Sequence, residues 1–219
     1  IAFFMTIRCK PLCGARPYYS RIIKLCNGEK RAFFNPMPHD PKETSMPTIV
    51  LENVTKFYKG DRKRGGKRQE IGVQDVNLTI RQGEFVFVIG SSGAGKSTLL
   101  SLIAGTEKPS RGKVYIDDRD LSWMMKLSRN KASLLFGKVW QEPTLLRKKT
   151  VEENLALAAN IRASKIENDK NLQAKVRKVL GLVGMSGVEK RYPVELSIGE
   201  CRRVELARAM IGSPPILVL

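Results

Sequence analysis

Gly90-Ser91-Ser92-Gly93-Ala94-Gly95-Lys96-Ser97 is the segment whose residue types and spacing most directly imply chemistry. It has the form G-x-x-x-x-G-K-[ST], and each fixed position answers to a physical need. Glycines let successive backbone N–H groups turn inward around an anion, where side chains would collide with it. Lys96 adds a point charge for terminal phosphates, and Ser97 offers a hydroxyl to Mg2+. The helix that starts there directs its positive end at the same place. At about 7% glycine usage, the fixed positions recur by accident in roughly one chain in a hundred of this length. The flanks lower that frequency, because Phe85-Val86-Phe87-Val88-Ile89 reads as a strand buried on both faces and Thr98 to Ala104 as an apolar helix.

A second segment, Leu196-Ser197-Ile198-Gly199-Glu200-Cys201-Arg202-Arg203-Val204-Glu205-Leu206-Ala207-Arg208-Ala209, opens with Ser197-x-x-Glu200, the form of a capping box. A helix start with free N–H groups and a hydroxyl also suits phosphate. Taken in order with Tyr58, the glycine-rich loop and Gln141 of Val139-Trp140-Gln141, this segment resembles the ABC ATPase family. That family's signature is Leu-Ser-Gly-Gly-Gln followed by a helix ending in Ala-Arg-Ala. The resemblance covers Met46 to Leu219. Tyr192-Pro193-x-Glu195-Leu196-Ser197 with Glu200, and the Pro214-Pro215 approach to the last strand, look most like the group serving cell division, lipoprotein release and macrolide export.

The resemblance implies an α/β fold, a P-loop NTPase of ABC type. It would have an N-terminal antiparallel β part, a mainly parallel core sheet and a helical subdomain at about residues 142–200. It implies ATP and Mg2+ as cofactors. Tyr58 would stack on adenine, Gly90, Ser91, Ser92, Gly93, Ala94, Gly95, Lys96, Ser97 and Thr98 would hold the phosphates, and Gln141 would sense the γ-phosphate. Lys96 and Gln141 take the catalytic roles and Ser97 with Gln141 the metal. Ser197, Gly199 and Glu200 would close on ATP held by a second ATPase subunit in a head-to-tail dimer. The implied activity is ATP hydrolysis that powers a transmembrane permease subunit or a cell-division-type complex, from the cytoplasmic face of the cell membrane. The surface near residues 143–147 would receive the permease. Ile198 stands where the family has its first signature glycine, and its branched side chain is expected to restrict the backbone and crowd the nucleotide.

In that family a Walker B aspartate, a catalytic glutamate and a switch histidine follow the strand corresponding to Ile216-Leu217-Val218-Leu219. None is present, and His39 lies far upstream of the cassette. The expectation is therefore a partial cassette that binds ATP without the general base needed to split it efficiently, with the C-terminal part of the fold missing.

The elements that must position these residues are legible in outline. Thr48 to Phe57 and Val73 to Ile80 read as strands. Between them, residues 59–68 carry six Lys/Arg and one Asp around Gly65-Gly66, a solvated turn or a contact for anionic lipid. Thr150-Val151-Glu152-Glu153 reads as a capping box opening a helix with Leu155, Ala158, Ala159 and Ile161 on its apolar side, and Lys170 to Leu182 as a basic amphipathic helix carrying Leu172, Val176, Val179 and Leu180.

Residues 1–45 show no sustained period, and Met46 reads as the natural start, so this leader is expected to be disordered or non-native. Its Cys9, Cys13, Cys26 and His39 lack a common zinc-ligand spacing, and Cys201 stands alone, which favours a reducing compartment.

The 219 residues are long enough for a substantial core, and 42% hydrophobic content excludes intrinsic disorder of the whole. No apolar run reaches the roughly 18 residues of a spanning helix. The net charge of +18 suits nucleotide phosphates, an anionic membrane surface or nucleic acid. The short interval between Lys96 and Ser197 leaves no room for the coiled coils of chromosome and repair cassettes, so nucleic acid is not expected as a partner. A ribosome-associated cassette and a degenerate nucleotide-binding scaffold are the remaining alternatives.

Overall fold

The computed structural model describes residues 3–7, 20–25, 32–34, 48–59, 69–142, 144–162 and 169–219. The four residues Cys9, Cys13, Cys26 and His39, the basic tip at 60–68 and Pro143 lie outside the described residues. Two compact units are present, Ile1–Leu135 with Val218 and Phe136–Leu217 with Leu219.

In the first unit, β4 (Ile49–Lys59) pairs antiparallel with β5 (Gln69–Ile80) on one side and with β7 (Arg111–Ile116) on the other. The two-residue strand β8 (Arg119–Asp120) completes a four-stranded sheet in the order β5-β4-β7-β8, the antiparallel part expected from sequence. Leu51 and Val54 are both buried although they are an odd number of positions apart. A bulge makes this possible: Asn53 takes a left-handed φ of 49° and the ladder shifts between Leu51 and Val54. Asn is one of the few residues that tolerates this conformation, and its neighbour Asn77 locks it. The Asn77 side chain accepts from the Asn53 N–H at 2.9 Å and donates to the Asn53 side chain at 3.1 Å.

β6 (Phe85–Gly90) leaves the turn at Gly83 and leads into α1 (Lys96–Ile103). Val86 and Val88 are buried, while Phe85, Phe87 and Ile89 are half-buried, so the strand presents a deep and a shallow face. The inward side of α1, Leu99, Leu100, Leu102 and Ile103, is buried, as its apolar pattern requires. α2 (Leu121–Leu127) starts on Asp120, whose carboxylate accepts from the N–H groups of Ser122 and Trp123, and α3 (Arg129–Ser133) follows.

The described residues of 1–45 form β1 (Phe3–Ile7), β2 (Ser20–Leu25) and β3 (Ala32–Phe34). β2 runs parallel to β6, from Ser20↔Phe85 to Leu25↔Gly90, and β1 runs antiparallel to its other edge, from Phe3↔Val88 to Thr6↔Phe85. An apolar strand must satisfy its N–H and C=O groups along both edges, and the aromatic and β-branched runs of the leader supply those ladders. Ile23 is fully buried as a result.

The second unit joins β9 (Phe136–Lys138), α4 (Val151–Arg162), α5 (Asp169–Leu182), α6 (Ile198–Met210) and β10 (Ile216–Val218), with β9 beside β10. Val151, Leu155 and Ala159 of α4, Val176, Val179 and Leu180 of α5, and Val204, Ala207 and Ile211 on and after α6 bury one another in a three-helix core. The helical packing therefore includes the signature helix. Ile161, placed on the apolar side from sequence, is instead 66% exposed, because it follows buried Ala159 by two positions and so falls on the opposite side of α4 from the Val151, Leu155 and Ala159 stripe. No described helix is long and apolar enough to cross a membrane.

Candidate functional site

The loop between β6 and α1 is shaped by what lies behind it. Gly95 is the N-cap of α1 and holds a φ of 93°, and Gly93 holds 77°, both in the region that glycine alone enters cheaply. A Cβ added at Gly95 would meet the Gly72 carbonyl oxygen of β5 at 2.2 Å and Val73 Cγ1 at 2.8 Å, so the strand backbone is the floor on which the loop rests. The first helical bond runs from the Leu99 N–H to the Gly95 carbonyl at 2.8 Å. The amides of Lys96, Ser97 and Thr98 thus lead the helix, with no acidic side chain in its first turn.

Lys96 is buried, and its ammonium donates to the carbonyls of Gly90 at 2.8 Å and Ser91 at 2.6 Å. It lies folded back onto the start of the loop. Ser91, Ser92, Gly93 and Ser97 are exposed, Gly90, Gly95 and Thr98 half-buried, and Ala94 is buried beneath the loop. Tyr58 reaches the same place from β4: its hydroxyl donates to Thr98 Oγ1 at 3.3 Å, passing Gly72, where a Cβ would come within 2.8 Å of the tyrosine ring. The Lys56 ammonium sits 5.2 Å from the Tyr58 ring centre, held there by Glu107 at 2.6 Å. The first unit therefore gathers Tyr58 and Gly90 to Thr98 into one cluster.

This donor set fits a polyphosphate with a divalent cation. A buried ammonium, a run of amides at a helix start and an exposed hydroxyl lie within one loop, and the first turn of α1 carries no acidic side chain.

The second unit holds Gln141, Ser197, Gly199 and Glu200. Ser197 caps α6: its N–H donates to Glu200 Oε2 at 2.8 Å, its hydroxyl donates to the same oxygen at 2.7 Å, and the Glu200 N–H returns to Ser197 Oγ at 3.3 Å. The expected capping box is thus formed, as is the one at Thr150 and Glu153. In the turn that feeds the signature, the Tyr192 N–H donates to the Glu195 carboxylate at 2.5 Å and the Glu195 N–H donates to the Tyr192 carbonyl at 3.0 Å. The bonds from the Ser197 hydroxyl and then from its N–H hold the Glu200 carboxyl below its ordinary pKa. Protonation weakens both, so the carboxylate half of the box is intact above the ordinary carboxylate range and is lost as pH falls through the lowered value, while the Ser197 hydroxyl still accepts from the Glu200 N–H. The Ser197 amide proton shift should accordingly titrate with a midpoint below about 4.3, and a midpoint at or above that value would contradict the cap.

Ile198 is the first helical residue, is 80% exposed and has no left-handed φ. The expected backbone restriction does not arise, because a branched residue is at ease in helical φ/ψ at a helix start, and the side chain points into solvent. Gly199 likewise has nothing within 4 Å of an added Cβ. Cys201 donates to the Pro193 carbonyl at 3.4 Å, and burial pushes its thiol up, away from a reactive thiolate.

Gln141 is exposed, and sequence reasoning missed what holds its backbone. Arg202 of α6 donates to the Trp140 carbonyl at 2.7 Å and to the Gln141 carbonyl. It also pairs with Glu205 at 2.8 Å. Glu205 is only 1% exposed and accepts from the Thr144 N–H at 2.5 Å and hydroxyl at 3.1 Å. Arg208 donates to the Thr144 carbonyl at 2.8 Å and to its hydroxyl; burial pushes this guanidinium below its ordinary pKa, against the pull of Glu205. Further along, buried Asn154 accepts from the Leu146 N–H at 2.7 Å and donates to the carbonyls of Leu146, Lys149 and Thr150. The available signal was the spacing of Arg202, Glu205 and Arg208 at three-residue steps beside the apolar Val204 and Ala207, and Asn154 beside Leu155.

The sequence pattern described as ABC transporter matches residues 73–219. The methionine import ATP-binding protein MetN of Geobacillus kaustophilus is 39% identical over 170 residues, which are 78% of this chain and 47% of that protein. The sulfate/thiosulfate import ATP-binding protein CysA of Mesorhizobium japonicum is 41% identical over 148 residues, 67% of this chain and 41% of that one. The chain spans about half the length of the curated relatives it matches. Both carry import in their names, whereas the sequence resemblance pointed to the cell-division, lipoprotein-release and macrolide-export group. Among solved structures, the ATP-binding cassette MJ0796, determined as a dimer bound to ADP and Pi, superposes with a TM-score of 0.65 at 28% identity, over 76% of this chain and 70% of that one. A further dimeric structure of the same cassette gives 0.65 at 29% identity over the same shares. Matched over more than half of its length, the chain belongs to the ABC transporter family.

Proposed function

We propose that this chain is the ATP-binding part of a subunit that hydrolyses ATP to power a transmembrane ABC permease, working at the inner face of the cell membrane and paired head to tail with a second ATPase subunit. The observation that carries the reading is Lys96, buried and folded onto the carbonyls of Gly90 and Ser91 at the head of α1. An ammonium held there turns to the β- and γ-phosphates when they arrive, exchanging neutral carbonyls for charged oxygens. The amides of Gly93 to Thr98 cradle the phosphate chain, the exposed Ser97 hydroxyl ligates Mg2+, and Tyr58 offers its ring to adenine. Mg2+ supplies neutralisation of the phosphate charge. Gln141 serves as the sensor of the γ-phosphate, and the capped start at Ser197, Gly199 and Glu200 is the surface for the partner's nucleotide. The import-named relatives support a transporter, and the basic composition supports a place beside anionic lipid.

The test is equilibrium binding of ATP and AMP by the full chain, with Mg2+ present. ATP is expected to bind more tightly than AMP, and Lys96→Ala to weaken ATP by ten- to a hundredfold, the range for losing a charge-assisted bond. AMP affinity should move less than threefold. An ATP affinity that ignores Lys96→Ala would remove the loop from the function.

A further inference from the structure

The second unit contains a charged clamp whose place in the fold is unusual. Glu205 carries a carboxylate at 1% exposure on α6, a position where helices normally bury apolar groups, flanked by Val204 and Ala207 of the three-helix core. A buried carboxylate is retained only when charge and hydrogen bonds compensate it. Here Arg202 supplies the charge and Thr144 supplies two donors. Arg202 then spends its remaining donors on the carbonyls of Trp140 and Gln141, and Arg208 closes on Thr144 from the next turn. Apart from the Arg202–Glu205 pair, every bond of the clamp ends on Trp140, Gln141 or Thr144, and most of them end on backbone atoms. Three side chains of one helix thus fix the carbonyls on both sides of the Gln141 N–H and the whole of Thr144.

We propose that Arg202, Glu205 and Arg208 are positioning residues that bind Gln141 to the signature helix as one body, so that the backbone of Gln141 keeps the place set by α6 and does not sample alternatives on its own. The proposal rests on the reading of Gln141 as a nucleotide sensor. Nothing in the clamp touches nucleotide. Its effect is preorganisation: an exposed glutamine on an untethered loop loses conformational freedom when it engages a ligand, and a tethered one has already lost it.

The experiment uses the full chain and two variants, Arg202→Ala and Glu205→Gln, with backbone amide NMR relaxation and nucleotide binding at varied Mg2+ as readouts. Arg202 is partly exposed, so its alanine variant keeps the core, and the order of Val176, Val179 and Leu180 is expected to be unchanged while the Gln141 and Glu142 amides relax as a mobile loop. Glu205→Gln keeps an acceptor for the Thr144 N–H and loses the charge that holds Arg202, so it should leave Thr144 ordered but release Gln141. In both variants the Mg2+ concentration for half-maximal ATP binding should rise severalfold, with ATP affinity in EDTA unaltered. A looser Gln141 with an unchanged Mg2+ profile would reduce the clamp to a structural brace and overturn the proposal, as would unchanged relaxation at Gln141. If the unsubstituted chain binds no ATP, the nucleotide reading fails, and the relaxation arm still decides whether the clamp exists.

Discussion

Alanine at Gly95 is expected to destabilise the first unit by roughly 3–5 kcal/mol and to abolish ATP binding, whereas alanine at Gly93 costs about 1–2 kcal/mol. Both positions are left-handed, so both substitutions carry the same conformational strain. They differ in what the new methyl group meets. At Gly93 there is nothing within 4 Å, and at Gly95 there is a backbone carbonyl at 2.2 Å, about 1 Å inside contact distance. A backbone carbonyl within a strand cannot swing aside as a side-chain tip can, so either the pairing of β5 with β4 or the helix start must shift. Urea unfolding of the two variants, compared with the unsubstituted chain, isolates the collision as the difference between them. Equal losses would mean that the loop does not rest on Gly72.

Leucine at Asn154 is expected to cost the second unit about 2–4 kcal/mol, although it introduces an apolar residue of similar size at a buried position. The Leu146 N–H loses the acceptor at 2.7 Å, and the Lys149 carbonyl loses its donor. The carbonyls of Leu146 and Thr150 each keep one backbone partner, from the Lys149 and Asn154 N–H groups, which bounds the loss from above. Gain from burying a leucine does not offset unpaired groups in the same pocket, because each orphan costs the desolvation of a full hydrogen bond. Thermal unfolding monitored by far-UV circular dichroism would show the drop, and a stabilised variant would mean that water already serves this loop.

The glycine-rich loop was legible in the sequence because its chemistry is local: the strand, the turn and the helix that carry it are contiguous, and the glycines are required by the backbone itself. The caps at Thr150 and Ser197 and the stripe on α5 were legible for the same reason. What escaped was decided by contacts distant in sequence. The bulge at Asn53 depends on Asn77, and nothing in the β4 sequence alone announces it. Glu205, between two arginines three residues away on either side, looks like part of a solvated helix face until the Thr144 backbone is placed beside it. Asn154 reads as a polar interruption of an apolar stripe, when its position in the core is the reason for it. The strands β1 and β2 carry no period of their own to announce them, since their ladders are with β6, distant in sequence.

The hairpin of β4 and β5 has a consequence for how this cassette tolerates change. One strand carries Tyr58 and the other carries the Gly72 carbonyl, and the pairings Tyr58↔Glu70 and Phe57↔Ile71 fix the offset between them. A slip of one residue would turn Tyr58 to the opposite face and replace the floor beneath Gly95. The hairpin therefore acts as a ruler that fixes how far the Tyr58 ring stands from the floor of the glycine-rich loop. Only the paired residues are graduated. Insertions, deletions or changes of charge between Lys59 and Gln69 leave those pairs unaltered, so that stretch of sequence is free to diverge without disturbing the loop.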